Sequence, residues 1–264
     1  MKIDLSQKMA LITGSAQGIG FAIARGLAHA GASVVINGLT NEEVNRGVEK
    51  LRAEFTSVAV RGVVANVATA KGVSALVAAV PTVDILINNA GYYTAQDFFE
   101  TPDDTWLDMF EVNVMGGVRT ARAYLNGMAQ RGWGRVVFIS SESGLHIPVD
   151  MIHYGMTKTA NLAVSRGLAK RMAGTGVTVN AVLPGPTLSE GLQAFFEEEQ
   201  KKSGLPMEEI AAAFVVAHRP TSLVRRAQSV EEVANMVVYL SSPQASSTTG
   251  AALRVDGGIV DTIG

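Results

Sequence analysis

The sequence predicts an α/β fold: one three-layer domain in which helices cover both faces of a seven-stranded parallel sheet. Three observations lead there. Short β-branched apolar runs alternate with longer segments of helical period along all 264 residues, which is the rhythm of βαβ units. The strand candidates are near-continuous apolar runs, as expected when both sheet faces are covered. No linker, charge block, low-complexity tract or repeat interrupts the pattern, so residues 1–264 are expected to form a single domain.

In chain order, strands are expected at 10–13, 33–37, 58–65, 85–88, 135–140, 178–183 and 252–255. Helices are expected at 19–30, 41–54, 70–80, 105–131, 153–173 and 230–240. Gly31 stands where a left-handed residue ends the first helix, and Asp103 and Asp104 are placed to cap the fourth. The rhythm changes between Pro184 and Pro220, a connection too long for a simple strand-to-helix crossing. Two helical pieces, 188–202 and 206–218, carry apolar residues at helical spacing (Leu192, Phe195, Phe196; Met207, Ile210, Phe214). This helical insertion, about 184–220, is expected over the carboxyl ends of the strands, where ligands bind in open α/β sheets. The alternative is a packing excursion without a ligand.

Composition narrows the function. Hydrophobic residues make up 47% and charged residues 17%, enough for a core and unlike a disordered chain. A formal net charge of -2 gives no reason to expect nucleic acid or an anionic membrane as partner. With no cysteine, disulfides and thiolate chemistry are excluded, and the four histidines have no metal-binding spacing, so no metal site is expected. The first residues lack the pattern of a signal peptide, and no apolar run approaches the ~18 residues of a membrane helix. A cytoplasmic protein is the expectation.

The first chemical feature follows the first strand. Thr13-Gly14-Ser15-Ala16-Gln17-Gly18-Ile19-Gly20 runs directly into a helix. A helix N-terminus offers unpaired N–H groups and partial positive charge, and glycines let a pyrophosphate approach them. Glycine-rich turns also close many strand–helix junctions, but this one sits at the first βα turn, which favours a nucleotide site.

The second feature is Tyr154 with Lys158, four residues apart and therefore on one helix face. A free phenol, with a pKa near ~10, is a poor base at neutral pH. A neighbouring ammonium would bring it towards the working range. Ser140-Ser141-Glu142-Ser143-Gly144 ends the strand just upstream, and a serine there can donate to a substrate carbonyl oxygen as charge develops on it.

Together these pieces resemble the short-chain dehydrogenase/reductase family over essentially the whole chain. The matching motifs are Thr13–Gly20, Asn88-Asn89-Ala90-Gly91, Asn113, Ser141, Tyr154-x-x-x-Lys158, Pro184-Gly185 and Asp256-Gly257-Gly258, in family order and spacing. The resemblance implies a single Rossmann-type domain and an NAD(P)-dependent oxidoreductase acting on CH–OH groups. Tyr154 would be the acid in reduction and the base in oxidation. Lys158 would lower its pKa and hold the nicotinamide ribose, Ser141 would orient the carbonyl, and Asn113 would hold a water in a proton relay. Gly14, Ser15, Gln17, Gly18, Ile19 and Gly20 would cradle the pyrophosphate. Asn89, Ala90 and Gly91 would line the adenosine ribose, and Pro184, Gly185 and Thr187 the nicotinamide. Asn88 and Asn89 could also simply bridge neighbouring strands.

Three positions depart from the family pattern. Gly38 stands where an NAD-selecting aspartate would be, and Leu39 where many relatives carry an arginine for the 2′-phosphate of NADP. NADP(H) is favoured over NAD(H), since Thr40 and Asn41 could donate to a phosphate. Asn66-Val67 replaces Asp-Val at the adenine contact, where an amide can still accept from the adenine amino group.

Tyr92, Tyr93, His146, Ile147, Val149, Met151 and His153 are expected to border the pocket together with the insertion, with His146 and His153 read as loop and helix-cap residues rather than substrate contacts. That list predicts a small, moderately apolar ketone or secondary alcohol as partner. The other readings are a non-catalytic dinucleotide-binding regulator and an epimerase or dehydratase on the same fold. Relatives commonly form homotetramers through the long helices at 105–131 and 153–173, and Ala160, Ala163 and Gly167 would let such helices approach.

Overall fold

The computed structural model describes residues 2–263. Seven strands form one all-parallel sheet: β1 (Met9–Ile12), β2 (Ser33–Gly38), β3 (Val60–Val64), β4 (Ile85–Asn88), β5 (Gly134–Ile139), β6 (Val177–Pro184) and β7 (Ala252–Val255). Their order is β3-β2-β1-β4-β5-β6-β7. The chain winds outward from β1 in one direction and from β4 in the other, so the crossovers diverge between these two strands. A crevice opens there at the carboxyl ends.

The helices are α1 (Gly18–His29), α2 (Asn41–Glu54), α3 (Ala70–Ala79), α4 (Asp103–Phe110), α5 (Gly116–Gln130), α6 (Ile152–Arg171), α7 (Glu190–Ser203), α8 (Met207–His218) and α9 (Val230–Leu240). Alternation along each strand sends successive side chains to opposite faces, and two cores result. Ile12, Ile36, Ile87 and Ile139 pack with Ile23, Leu27, Val48 and Val237 of α1, α2 and α9. Leu11, Val35, Leu86 and Phe138 pack with Leu76, Leu125, Met128 and Met172 from the other side.

Local signals set the helix starts. Thr40 with Glu43, and Ser229 with Glu232, form reciprocal capping boxes on α2 and α9. Gly31, after α1, has φ +93°, the left-handed stop expected of it. The fourth predicted helix proves to be three pieces. α4 begins at Asp103, so Asp103 and Asp104 lie in its first turn rather than capping it, and Pro102 precedes them without a side-chain bond. Their charges still favour the helix N-terminus. A π-helical turn, Glu111–Met115, then joins α4 to α5.

The segment between β6 and α9 folds as the expected two helices. α7 and α8 share a small apolar core of Phe196, Ile210 and Ala211, packed by Leu192 and Phe214. Among the described residues no helix is long and apolar enough to cross a membrane.

Ile87 is fully buried in the central strand β4. Ile87→Ala should cost about 2–5 kcal/mol of stability through lost burial and the cavity left behind. Urea unfolding of the variant against the parent measures it, and a loss below about 1 kcal/mol would show that the sheet centre relaxes around the gap.

Candidate active site

The crevice between β1 and β4 opens into a cleft of about 420 Å³ that runs from the glycine loop to the insertion. The loop after β1 is shaped by two left-handed glycines, Gly14 at φ +60° and Gly18 at φ +62°. A Cβ on Gly14 would lie 2.9 Å from the Cα of Ala90, so the loops after β1 and β4 touch backbone to backbone there.

Thr13 and Asn89 lock those loops together. The Thr13 hydroxyl accepts from the Asn89 and Ala90 N–H groups, both at 3.0 Å. The Asn89 amide donates to the Thr13 and Gly14 carbonyls at 3.0 and 2.8 Å. The strand-bridging reading of Asn89 therefore describes its bonds. Asn88 accepts from the Thr120 hydroxyl at 2.6 Å. Ser15 is fully buried and donates to the Ile12 carbonyl at 2.7 Å, so it braces the loop from below. Asn37 does the same from β2: its side-chain oxygen accepts from the Gly14 N–H at 3.3 Å, while its amide donates to the Val63 and Ala65 carbonyls.

Gly14, Gln17, Gly18, Ile19 and Gly20 face the cleft, as do Asn89, Gly91, Pro184, Gly185 and Thr187. Ser15, Asn66, Val67 and Ala90 are not among its lining residues. Asn66 turns its side chain to the Ala68 N–H at 3.0 Å, a local turn at the end of β3. At the end of β2, the Leu39 and Thr40 N–H groups both donate to the Glu43 carboxylate. The capping box thus already holds Thr40, which the sequence offers as a phosphate donor.

The loop shows how it treats an anion. The Gly18 N–H, at the start of α1, donates to the carboxylate of Glu190 at 2.8 Å. Glu190 opens α7, so the insertion places a negative group on the donor that a pyrophosphate would use.

At the other end of the cleft, β5 delivers Ser141 and α6 delivers Tyr154 and Lys158, all three lining one wall. Lys158 is buried and donates to the Ile139 carbonyl at 3.1 Å. Burial pushes its ammonium down to about 8. Its Nζ lies 5.4 Å from the centroid of the Tyr154 ring. The Tyr154 phenol is pushed up, first by burial and then by the charge of Glu142, with Ser141 and Arg219 pulling the other way. Lys158 is not among the groups that shift it here. Tyr93 packs edge-on against Tyr154, ring centroids 5.9 Å apart.

Asn113 sits in the π-helical turn behind this wall, a distortion that recurs at functional sites. Its amide donates to the Tyr92 carbonyl at 2.9 Å and to the Thr157 hydroxyl at 3.1 Å, and its oxygen accepts from the Tyr92 N–H at 2.9 Å. A Cβ on Gly91 would stand 3.1 Å from the Asn113 oxygen and 3.4 Å from the Lys158 ammonium. The two side chains thus flank one glycine.

The substrate end differs in part from the sequence expectation. Tyr92, Tyr93 and Met151 line the cleft, but His146, Ile147, Val149 and His153 do not. His153 is buried, with a ring nitrogen 3.1 Å from the Thr94 hydroxyl and its ring tilted against Trp106. Sequence reasoning missed Glu142, Glu190 and Arg219. Arg219 follows α8 and pairs with Glu142 at 3.0 Å. One clue was present, a glutamate among serines at the end of a buried strand, since a buried charge needs a partner. Among the described residues no cluster of histidine and acidic side chains could hold a metal.

A nucleotide-sized crevice at the switch point of a parallel sheet, leading to a serine, a tyrosine and a lysine, defines a dinucleotide-dependent oxidoreductase. Within that class the chain belongs to the short-chain dehydrogenase/reductase family. The short chain dehydrogenase family model matches residues 8–200. The oxidoreductase YvaG of Bacillus subtilis (strain 168) is 43% identical over 263 residues, covering 100% of both chains. The 3-oxoacyl-[acyl-carrier-protein] reductase FabG of Aquifex aeolicus is 33% identical, over 98% of this chain and 100% of that protein. The crystal structure of L-sorbose reductase from Gluconobacter frateurii, complexed with NADPH and L-sorbose, superposes with a TM-score of 0.92 at 33% identity and full coverage of both chains.

Because Glu190 holds an anion position in the glycine loop, removing its charge should favour a bound pyrophosphate. Glu190→Gln is expected to tighten dinucleotide binding about two- to fivefold, the worth of one charge at a helix N-terminus. Calorimetric titration checks this, and unchanged or weaker binding would show that the carboxylate does not compete.

Proposed function

We propose that this protein interconverts a small ketone and the corresponding secondary alcohol by NAD(P)-dependent hydride transfer, with Tyr154 as general acid and base. The observation that carries this reading is the common wall formed by Ser141, Tyr154 and Lys158 beside a glycine loop that already accepts a carboxylate. A bound dihydronicotinamide supplies the hydride to the carbonyl carbon.

The chain's residues do the rest. Ser141 holds the carbonyl oxygen, and Tyr154 gives it a proton as charge develops there. Lys158, with a lowered pKa, lies close enough to exchange protons with a relay that passes Gly91 and Asn113. Gly14, Gln17, Gly18, Ile19 and Gly20 would seat the pyrophosphate. Ser15 and Ala90 would support that loop from behind, Asn66 and Val67 would meet the adenine, and Asn89 and Gly91 the adenosine ribose. Pro184, Gly185 and Thr187 would border the nicotinamide. The insertion at 184–220 serves as the wall over the substrate.

Two features support NADP(H) over NAD(H): no acid stands at Gly38, and the similar L-sorbose reductase is described with NADPH. A 2′-phosphate would take the Leu39 and Thr40 N–H groups from Glu43. The apolar rim of Tyr92, Tyr93, Met151, Leu192 and Phe214 supports a substrate with an apolar part. A cytoplasmic setting suits a chain without cysteine. The exposed Ala163 and Gly167 on α6, where a Cβ on Gly167 would meet nothing within 4 Å, support a homotetramer built on α5 and α6. Light scattering is expected to give four times the chain mass, and a monomer mass would rule the tetramer out.

The deciding experiment is titration with NADPH and NADH, then assay of a ketone panel with the parent and with Tyr154→Phe. The parent should bind NADPH more tightly. The variant should bind it about equally well, because only the hydroxyl is lost, while turnover falls by about 10²–10⁴-fold. Substantial turnover in Tyr154→Phe would remove the tyrosine from the acid–base role.

A further inference from the structure

Glu142 is a buried carboxylate directly after Ser141, and hydride transfer by itself gives it no task. Its side chain is 4% exposed and pairs with Arg219, whose side chain is 14% exposed. Both line the cleft beside Tyr154. The Arg219 Nε donates to Glu142 Oε1 at 3.0 Å, while Oε2 accepts the Ser141 hydroxyl. A hydroxyl has one proton to give. That of Ser141 goes to Glu142, and its oxygen accepts from the Ser143 N–H at 3.0 Å.

Resting on the reductase reading above, we propose that Glu142, with Arg219 as its counter-charge, selects carbonyl substrates that carry a hydroxyl on the carbon next to the carbonyl. The reason is an exchange of donors. When Ser141 turns its proton to the substrate carbonyl oxygen, Glu142 Oε2 loses its partner inside a buried site. With its side chain only 4% exposed, Glu142 has little access to water that could replace it. A plain ketone leaves the carboxylate oxygen bare, which is costly for a charged acceptor. A hydroxyl on the adjacent carbon is within one bond rotation of the carbonyl oxygen, so the same molecule can accept from Ser141 and donate to Glu142. Selection then follows from the group that is left unpaired, the most discriminating arrangement a site can have.

A purely structural pair, tying the end of α8 to β5, would be indifferent to the substrate's hydroxyl. The two roles separate on a matched set reduced by the full-length protein with its preferred dinucleotide. Hydroxyacetone offers the donor. 2-Butanone replaces that hydroxyl by a methyl, and methoxyacetone keeps the oxygen but cannot donate. The parent should show kcat/KM for hydroxyacetone about tenfold or more above both analogues, a factor equal to about 1.4 kcal/mol.

Glu142→Gln keeps an acceptor for Arg219 but lacks the carboxylate. It should bring the three substrates to within about threefold of one another while still reducing 2-butanone. Equal kcat/KM in the parent, or full preference retained in Glu142→Gln, would overturn the proposal. The parent comparison alone decides if the variant does not fold. Absence of turnover with every ketone would instead overturn the reductase reading, and this proposal with it.

Discussion

The parallel pairing of β1 with β4 is the constraint on which the rest of the molecule depends. Ala10, Leu11 and Ile12 run in register with Ile85, Leu86 and Ile87, although more than seventy residues separate them in the chain. That pairing brings two loops to one edge and leaves a crevice between their outgoing crossovers. Thr13 and Asn89 then bind the loops so closely that Gly14 has no room for a side chain. The strand ends that face the cleft are arranged around this junction. The glycine loop leaves β1 there, Gly91 leaves β4 there, and β5 and β6 bring Ser141 and Pro184 alongside.

Much of this was legible in the chain. The strands are apolar along their whole length because helices cover both faces, and that pattern survives any uncertainty in their ends. Other features depend on contacts that periodicity does not record. The turn at Glu111–Met115 keeps nearly the same apolar spacing as an α-helix, so the interruption of the fourth helix is invisible until Asn113 is seen bonding Tyr92 and Thr157. The destination of His153 was equally hidden. Its sequence neighbours face the cleft, but the helical twist turns the ring to Thr94 and Trp106.

The site divides along the same line. Residues whose role is set by local chain geometry, such as Gly14 and Gly18 in the turn after β1, could be named from spacing. Residues whose role is set by a partner from a distant segment could not. Glu142 and Arg219 are 77 positions apart, and Gly18 and Glu190 are 172 apart. Neither glutamate stands out in composition, because each becomes informative only when its surroundings show what it must neutralise or accept. Lys158 is an intermediate case. Its spacing from Tyr154 placed both on one wall, while its bond to the Ile139 carbonyl and its lowered pKa come from the strand beneath it.

These distant partners share one carrier. The chain between β6 and α9 brings two charged groups to the cleft, a carboxylate at the glycine loop and a guanidinium beside Glu142. α7 bears the first at its start, and the residue after α8 bears the second. Phe196, Ile210 and Phe214 join the two helices into one small body with its own apolar contacts. The Glu190 contact is exposed and weak, whereas the Arg219 pair is buried and costly to break. The body is accordingly held at its substrate end and free to yield at its phosphate end. That asymmetry would let an incoming pyrophosphate displace Glu190 without disturbing the charged pair to which Ser141 donates.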